Sequence, residues 1–133
     1  MAKTMVFVTN QFSCDRLILA AQTVAERSKT RLDIVQILDN EYDLDPKAID
    51  YLFMHAKKAN ATMRLVSAQD KVELMKSVIG APDALFVVTG MPNSHQSILY
   101  ELWKEFPAKN FHVVDETGEL IDVASHKFAT ALQ

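Results

Sequence analysis

Short runs of β-branched and aromatic residues alternate along this chain with longer segments of helical periodicity. Five such runs are present, at residues 5–9, 31–38, 62–68, 84–89 and 111–115. The first run, MVFVT, is apolar at almost every position, which is typical of a parallel strand buried on both faces. Because strands that alternate with helices form βαβ units, the pattern predicts a parallel sheet covered by helices on both faces.

Right-handed connections between the five runs favour the doubly wound strand order 3-2-1-4-5. We therefore predict one three-layer α/β/α domain over residues 1–133, with its core in residues 4–116 and a C-terminal extension over 117–133. In the extension, Thr117-Gly118 is typical of a turn, after which residues 120–123 fold back as a short sixth strand. The sequence leaves open whether the extension packs on its own domain or completes the sheet of a neighbour.

Local capping signals place the first two helices. Ser13 is the expected N-cap of a helix that ends near residue 28, and Asp45 with Pro46 opens a helix that ends near residue 60. The apolar spacing predicts the residues that face the core. They are Leu17, Ile18, Ala21, Val24 and Ala25 in the first helix, and Ile49, Leu52, Phe53 and Ala56 in the second.

The third and fourth helices carry clear signals too. Asp70, followed by Glu73 three residues later, forms a capping box, and the third helix is expected to end before Gly80 as its C′ glycine. The fourth helix is expected to begin at residue 93 or 94 and to end near residue 106. Its core face combines Ile98, Leu99, Leu102 and Phe106, and Trp103 is also interpreted as a packing residue.

Composition excludes several classes of function. The formal charge is −3 and the basic residues are scattered, so no nucleic-acid partner is expected. No apolar stretch approaches the ~20 residues of a membrane span, so we expect a cytoplasmic protein with no membrane partner. Cys14 is the single cysteine, which rules out an internal disulfide. The four histidines lack the spacing of metal ligands, so no metal site is expected.

In a sheet of order 3-2-1-4-5 the winding reverses between the first and fourth strands, and ligands bind in the crevice at that reversal. The loops after these two strands, residues 10–13 and 90–94, are expected to line it. The second loop lies within VVTGMPNSHQSILYELW, where a strand ends at Gly90 and a helix follows. Free amides at that helix start, with the hydroxyls of Ser94 and Ser97, predict a niche for a phosphate, sulfate or carboxylate.

Three stretches of the chain resemble one known family. They are VFVTNQFSCDRLILAAQTVA, AIDYLFMHAKKANATMRLVSAQD and FHVVDETG, which together span most of residues 4–115. The resemblance is to the universal stress protein family, and within it to small stand-alone members similar to the stress-protein domain of KdpD potassium-sensing histidine kinases. It implies the adenine nucleotide alpha hydrolase-like fold and a homodimer that pairs along the edge strand from Phe111 to Asp115.

The nucleotide-binding branch of that family carries the pattern G-x2-G-x9-G-S/T after the fourth strand, and an acid at the end of the first. Gly90 matches the first glycine, Asn93 stands at the second, Trp103-Lys104 at the Gly-Ser pair, and Thr9 at the acid. An indole in place of a phosphate-binding hydroxyl is expected to weaken nucleotide binding. The candidate crevice residues are Thr9, Asn10, Ser13, Ile37, Leu38, Gly90, Asn93, Ser94 and Ser97.

Three interpretations of function stay open. The first is a non-enzymatic binding or regulatory module with a degenerate nucleotide crevice, which acts as a homodimer or with a regulatory protein partner. The second is an ATP- or AMP-binding protein with a remodelled phosphate loop, for which slow ATP hydrolysis is left open. The third is a thiol redox sensor through Cys14, because a thiol in the first turn of a helix has a lowered pKa.

Overall fold

The computed structural model describes residues 2–8, 15–38, 46–67, 70–91 and 98–125. The strands form one six-stranded sheet of order β3-β2-β1-β4-β5-β6. In chain order the elements are β1 (Lys3–Val8), α1 (Asp15–Ser28), β2 (Arg31–Leu38), α2 (Pro46–Lys58), β3 (Thr62–Ser67), α3 (Lys71–Ile79), β4 (Ala84–Gly90), α4 (Ile98–Glu105), β5 (Asn110–Val114) and β6 (Leu120–Asp122). The predicted α/β class and the order 3-2-1-4-5 are confirmed, since every adjacent pair of strands among β1 to β5 is parallel.

Two apolar cores lie on opposite faces of the sheet. Alternate strand residues such as Val6, Ile34 and Val88 pack under α1 and α2. Their neighbours, including Met5 and Val87, pack under α3 and α4. All five residues predicted for the core face of the first helix are buried, as is Trp103 of α4. The two-sided burial explains why the central strands are apolar at consecutive positions.

Both α1 and α2 end in a Schellman motif. The residues at the C′ positions, Lys29 and Asn60, adopt left-handed conformations with φ of 57° and 53°. In each case the next amide closes the motif, with Thr30 N donating to Ala25 O and Ala61 N donating to Ala56 O at 3.0 Å. Asparagine tolerates this conformation well, whereas lysine adopts it less readily.

The third helix confirms Asp70 as the predicted N-cap and corrects the predicted role of the glycine. Asp70 is the N-cap, and its carboxylate accepts from the Glu73 amide at 3.2 Å. Gly80 is a C-cap in a right-handed helical conformation, with φ −70°, and not a left-handed C′ residue. Close approach explains the glycine, because a Cβ at this position would lie 3.0 Å from the carbonyl oxygen of Lys76.

The second helix begins at Pro46 as predicted, but one of its predicted core residues is wrong. Leu52 and Ala56 are buried, while Phe53 is 45% exposed and Ala48 is buried instead. Ala48, Leu52 and Ala56 follow one another at i+4 spacing, so they define the centre of the buried face and Phe53 lies beside it. The helix packs near β3, the last strand of the sheet on this side, which leaves Phe53 without cover.

At the other side of the sheet, β6 corrects the prediction that β5 is the edge strand. It pairs antiparallel to β5, with Val113 opposite Ile121. The intervening turn contains Gly118 at φ 89°. In this turn the Asp115 carboxylate accepts hydrogen bonds from the Thr117 hydroxyl, from the amide of Thr117 at 2.9 Å and from the amide of Glu119 at 2.8 Å. These bonds lower the pKa of Asp115, and the bond from the Thr117 hydroxyl contributes most.

The pairing of β6 predicts a pH-dependent stability. His112 lies opposite Asp122 across the two strands, and burial lowers the pKa of His112 despite the nearby carboxylate. The unfolded chain therefore binds a proton at this histidine at a higher pH than the folded chain does. We expect stability to fall as the pH drops below about 6.5.

Thermal unfolding at pH 7.5 and pH 5.5 tests this expectation. The wild-type Tm should fall more over that interval than the Tm of His112→Gln, which removes the titrating ring. Equal pH dependence of the two proteins would contradict the assignment.

Candidate functional site

The winding of the sheet reverses between β1 and β4. The chain proceeds from β1 through β2 to β3 on one side, and from β4 to β5 on the other. Val6 pairs with Val88 in parallel register, so the next inward-facing positions, Val8 and Gly90, lie at the carboxyl ends of the two central strands. These ends border the crevice in which open α/β sheets bind ligands.

Most residues predicted for the crevice lie outside the described part of the chain. These are Thr9, Asn10, Ser13, Asn93, Ser94 and Ser97, together with the redox candidate Cys14. Three predicted residues are described, namely Ile37, Leu38 and Gly90. Ile37 is half-buried on the α3 and α4 face, and Leu38 is the last residue of β2, paired in register with Ser67. Only the border of the site, formed by strand ends, is therefore defined.

Neither the backbone conformation nor packing against the described residues requires a glycine at position 90. Its φ is not in the left-handed region, which among described glycines is adopted by Gly118 alone. A Cβ built on Gly90 would meet no described atom within 4 Å. The preceding Thr89 is buried, and its hydroxyl donates to the Gly90 carbonyl at 3.0 Å. Among the described residues, none fills the position beside this strand end.

Gln36 is a buried polar residue near the carboxyl end of β2 that the sequence analysis did not single out. It is fully buried, and neither its amide nitrogen nor its amide oxygen bonds to a described group. It pairs in register with Val8, and strand alternation places it on the same face as Ile34, Val8 and Gly90. The signal in the sequence is one glutamine within the otherwise apolar second half of RLDIVQIL.

A buried amide without partners predicts a stabilising substitution. Desolvating such a group costs about 1–3 kcal/mol, and methionine has a similar shape without the polar atoms. We expect Gln36→Met to raise the free energy of unfolding by about 1 kcal/mol or more in urea titrations. The conservative control Gln36→Glu should destabilise the fold, since it buries a charge at the same place. A destabilised Gln36→Met protein would show that the amide has a partner in the folded chain.

Trp103 is a packing residue, as interpreted from the sequence. It lies on α4 and is buried in the core under α3 and α4. Its ring packs edge-to-face on Tyr100, with 5.0 Å between the ring centroids. The position that the family spacing gives to the Gly-Ser pair is therefore a helical core position in this chain, while residues 92–97 of the preceding segment lie outside the described part of the chain.

The described residues offer no other site of the kinds considered from sequence. Within them, no group of three histidine, cysteine, aspartate or glutamate side chains is arranged to hold a metal ion. His55 packs on Tyr51 with 4.5 Å between ring centroids, and His112 lies on β5. None of the described helices is long and apolar enough to cross a membrane.

Comparison with known proteins identifies the fold. No family model and no curated protein sequence matches the chain. A universal stress protein family structure from Burkholderia pseudomallei superposes with a TM-score of 0.52 and 17% identity, over 84% of this chain and 94% of that one. A universal stress protein crystallised in complex with cAMP superposes with a TM-score of 0.53 and 18% identity, over 86% and 97% of the two chains. The protein therefore has the fold of universal stress protein structures.

Proposed function

We propose that this protein is a non-enzymatic regulatory module that binds an adenine nucleotide in the crevice between β1 and β4. The observation that carries the proposal is Gly90, at the carboxyl end of β4, with no described atom within 4 Å of the position of a Cβ. A glycine without a conformational or packing requirement lets a ligand approach the backbone closely. Its place at the reversal of strand order is where nucleotides bind in sheets of this kind.

Two further observations support a nucleotide as the ligand. Trp103 is buried in the core under α3 and α4, so its indole does not compete with a ligand for the crevice. One structure of the same fold was crystallised with cAMP, which makes a nucleotide monophosphate a sensible first ligand to test.

The proposal assigns no reaction to the crevice. Of the described residues that border it, Val8 and Gly90 have no reactive group, and the Thr89 hydroxyl is bonded to a backbone carbonyl. These described residues are compatible with binding and supply no catalytic group. Prolonged incubation with ATP, followed by chromatography of the nucleotides, tests for slow hydrolysis. Continuous formation of ADP in proportion to the protein concentration would contradict a non-enzymatic role.

Native mass spectrometry followed by calorimetry tests nucleotide binding. Freshly purified protein is examined for copurified nucleotide and is then titrated with ATP, AMP and cAMP. We expect one nucleotide per chain with micromolar affinity. No heat and no bound species with any of the three nucleotides at millimolar concentration would contradict the proposal and would return the search to protein partners.

The proposal includes a homodimer that joins at the β5–β6 side of the sheet. The last strand on this side, β6, is only three residues long, and its outer edge pairs with no described strand, so its backbone groups are available for pairing. Size-exclusion chromatography with light scattering should give twice the monomer mass. A clean monomer at high micromolar concentration would contradict this part alone, because nucleotide binding does not depend on it.

A further inference from the structure

A second pocket lies at the opposite edge of the sheet from Gly90. It has a volume of about 590 Å³ and opens between the C-terminal turns of α1 and α2 and the first residues of β2 and β3. We call it the amino-edge pocket and define it by Glu26, Lys29, Arg31, Lys58 and Thr62. Its volume is within the ~300–1,000 Å³ of pockets that hold small molecules. Its lining is mostly polar, which points to a charged ligand rather than an apolar one.

The amino-edge pocket concentrates positive charge in a chain of formal charge −3. Lys29, Arg31 and Lys58 line it together with one acid, Glu26. None of the three cations forms an ion pair with a described residue. The nearest buried carboxylate, Asp33, is already bonded to the Arg64 guanidinium at 2.7 Å. Three cations and one acid therefore line the same open volume, which leaves an excess of positive charge there.

Interaction with helix ends accounts for only part of this cluster. Lysines near the C-termini of α1 and α2 are favoured by the helix dipoles, which explains Lys58 and contributes to Lys29. Arg31 is the first residue of β2 and gains nothing from a helix end. Lys29 stands at a C′ position with φ 57°, where glycine would adopt the same conformation without strain. The lysine side chain is thus present at a place where the backbone disfavours it.

We propose that the amino-edge pocket binds a small polyanion that carries two or more phosphate groups. Arg31 supplies a planar fork that matches phosphate oxygens, while Lys29 and Lys58 supply point charges from the two helix ends. The side-chain amide of Gln22 lines the same pocket and can donate a further hydrogen bond. The site is separate from the nucleotide crevice and does not depend on it.

The experiment uses tripolyphosphate as the probe, titrated into the full-length protein by calorimetry at physiological ionic strength. Lys29→Gly is the principal variant, since it removes a charge and also relieves the left-handed backbone. We expect it to weaken binding at least fivefold and to raise the Tm, which separates loss of the ligand from loss of the fold. Arg31→Gln should weaken binding by at least as much. Lys57→Gln is the matched control, one residue before Lys58 and outside the pocket, and it should change the affinity less than twofold.

Three outcomes would overturn the proposal. They are an equal loss of affinity in Lys57→Gln and Lys29→Gly, tighter binding of hexaglutamate than of tripolyphosphate, and no binding of tripolyphosphate at millimolar concentration. Gly90→Val should bind tripolyphosphate like the wild type. A loss of affinity in that variant would place the anion in the crevice and would also overturn the separate site.

Discussion

Replacing Gly90 with valine is expected to abolish nucleotide binding without weakening the fold. The position is the last residue of β4, its φ is not left-handed, and a Cβ would meet no described atom within 4 Å. Valine suits a strand, whereas glycine in a strand costs about 0.5–1 kcal/mol relative to alanine. The new side chain would occupy the volume that the nucleotide needs. We expect the affinity for AMP or cAMP to fall more than about 30-fold, a change of ~2 kcal/mol.

Calorimetry measures the nucleotide affinity of Gly90→Val, and thermal unfolding measures its stability. Leu85→Val is the matched control, because it introduces the same residue near the opposite end of the same strand, at a side chain that is 39% exposed. The control should bind nucleotide like the wild type. Unchanged affinity in Gly90→Val would show that the ligand does not bind next to this strand end. A fall in Tm of several degrees would show that other residues already occupy the space beside Gly90 in the folded chain.

Removing the Arg64 guanidinium is expected to give the largest loss of stability. The Asp33 carboxylate is 5% exposed, and it accepts from Arg64 at 2.7 Å and from the Thr62 hydroxyl at 3.1 Å. In Arg64→Met the carboxylate stays buried with only the hydroxyl as a partner. Breaking a fully buried pair from one side costs about 3–5 kcal/mol. Because the Arg64 side chain is 44% exposed, we expect a loss nearer ~2–3 kcal/mol.

Urea unfolding measures this loss, and a second substitution tests its cause. Asp33→Asn in the Arg64→Met background removes the uncompensated charge, so much of the lost stability should return. Lys3→Met is a control at the same edge of the sheet, since Lys3 pairs with Asp83 at 3.3 Å between two partly exposed side chains and should matter far less. A double variant no more stable than Arg64→Met would contradict an uncompensated buried charge as the cause of the loss.

The parts of the fold that sequence predicted correctly rest on local signals. Asp70 and Glu73 form their cap within a single turn, and Pro46 opens α2 because its ring suits the first helical position. Helical spacing placed Ile18 and Ala21 in the core since α1 lies across central strands. The caps are determined by residues within one helical turn. The buried face of α1 can be predicted because the sheet continues on both sides of that helix.

The incorrect predictions concern features set by distant parts of the chain. Phe53 has the spacing of a core residue, but α2 lies near the edge of the sheet and has little to cover that flank. Gly80 was expected to adopt a left-handed conformation because it follows a helix, but it is right-handed and close to the Lys76 carbonyl oxygen. The burial of Gln36 was not predicted, because a single glutamine in a strand sequence indicates neither its burial nor its hydrogen-bond partners.

An NMR titration of isotope-labelled protein with AMP, monitored through the backbone amide resonances, tests the central claim most directly. The described strand ends provide the reporters, namely Val8, Gly90 and Met91, and the amino-edge pocket provides Arg31 as a distant reference. We predict saturable shifts at the three strand-end amides at micromolar ligand, with Arg31 unchanged. Shifts confined to the amino edge, or no shifts up to millimolar AMP, would contradict the assignment of a nucleotide crevice between β1 and β4.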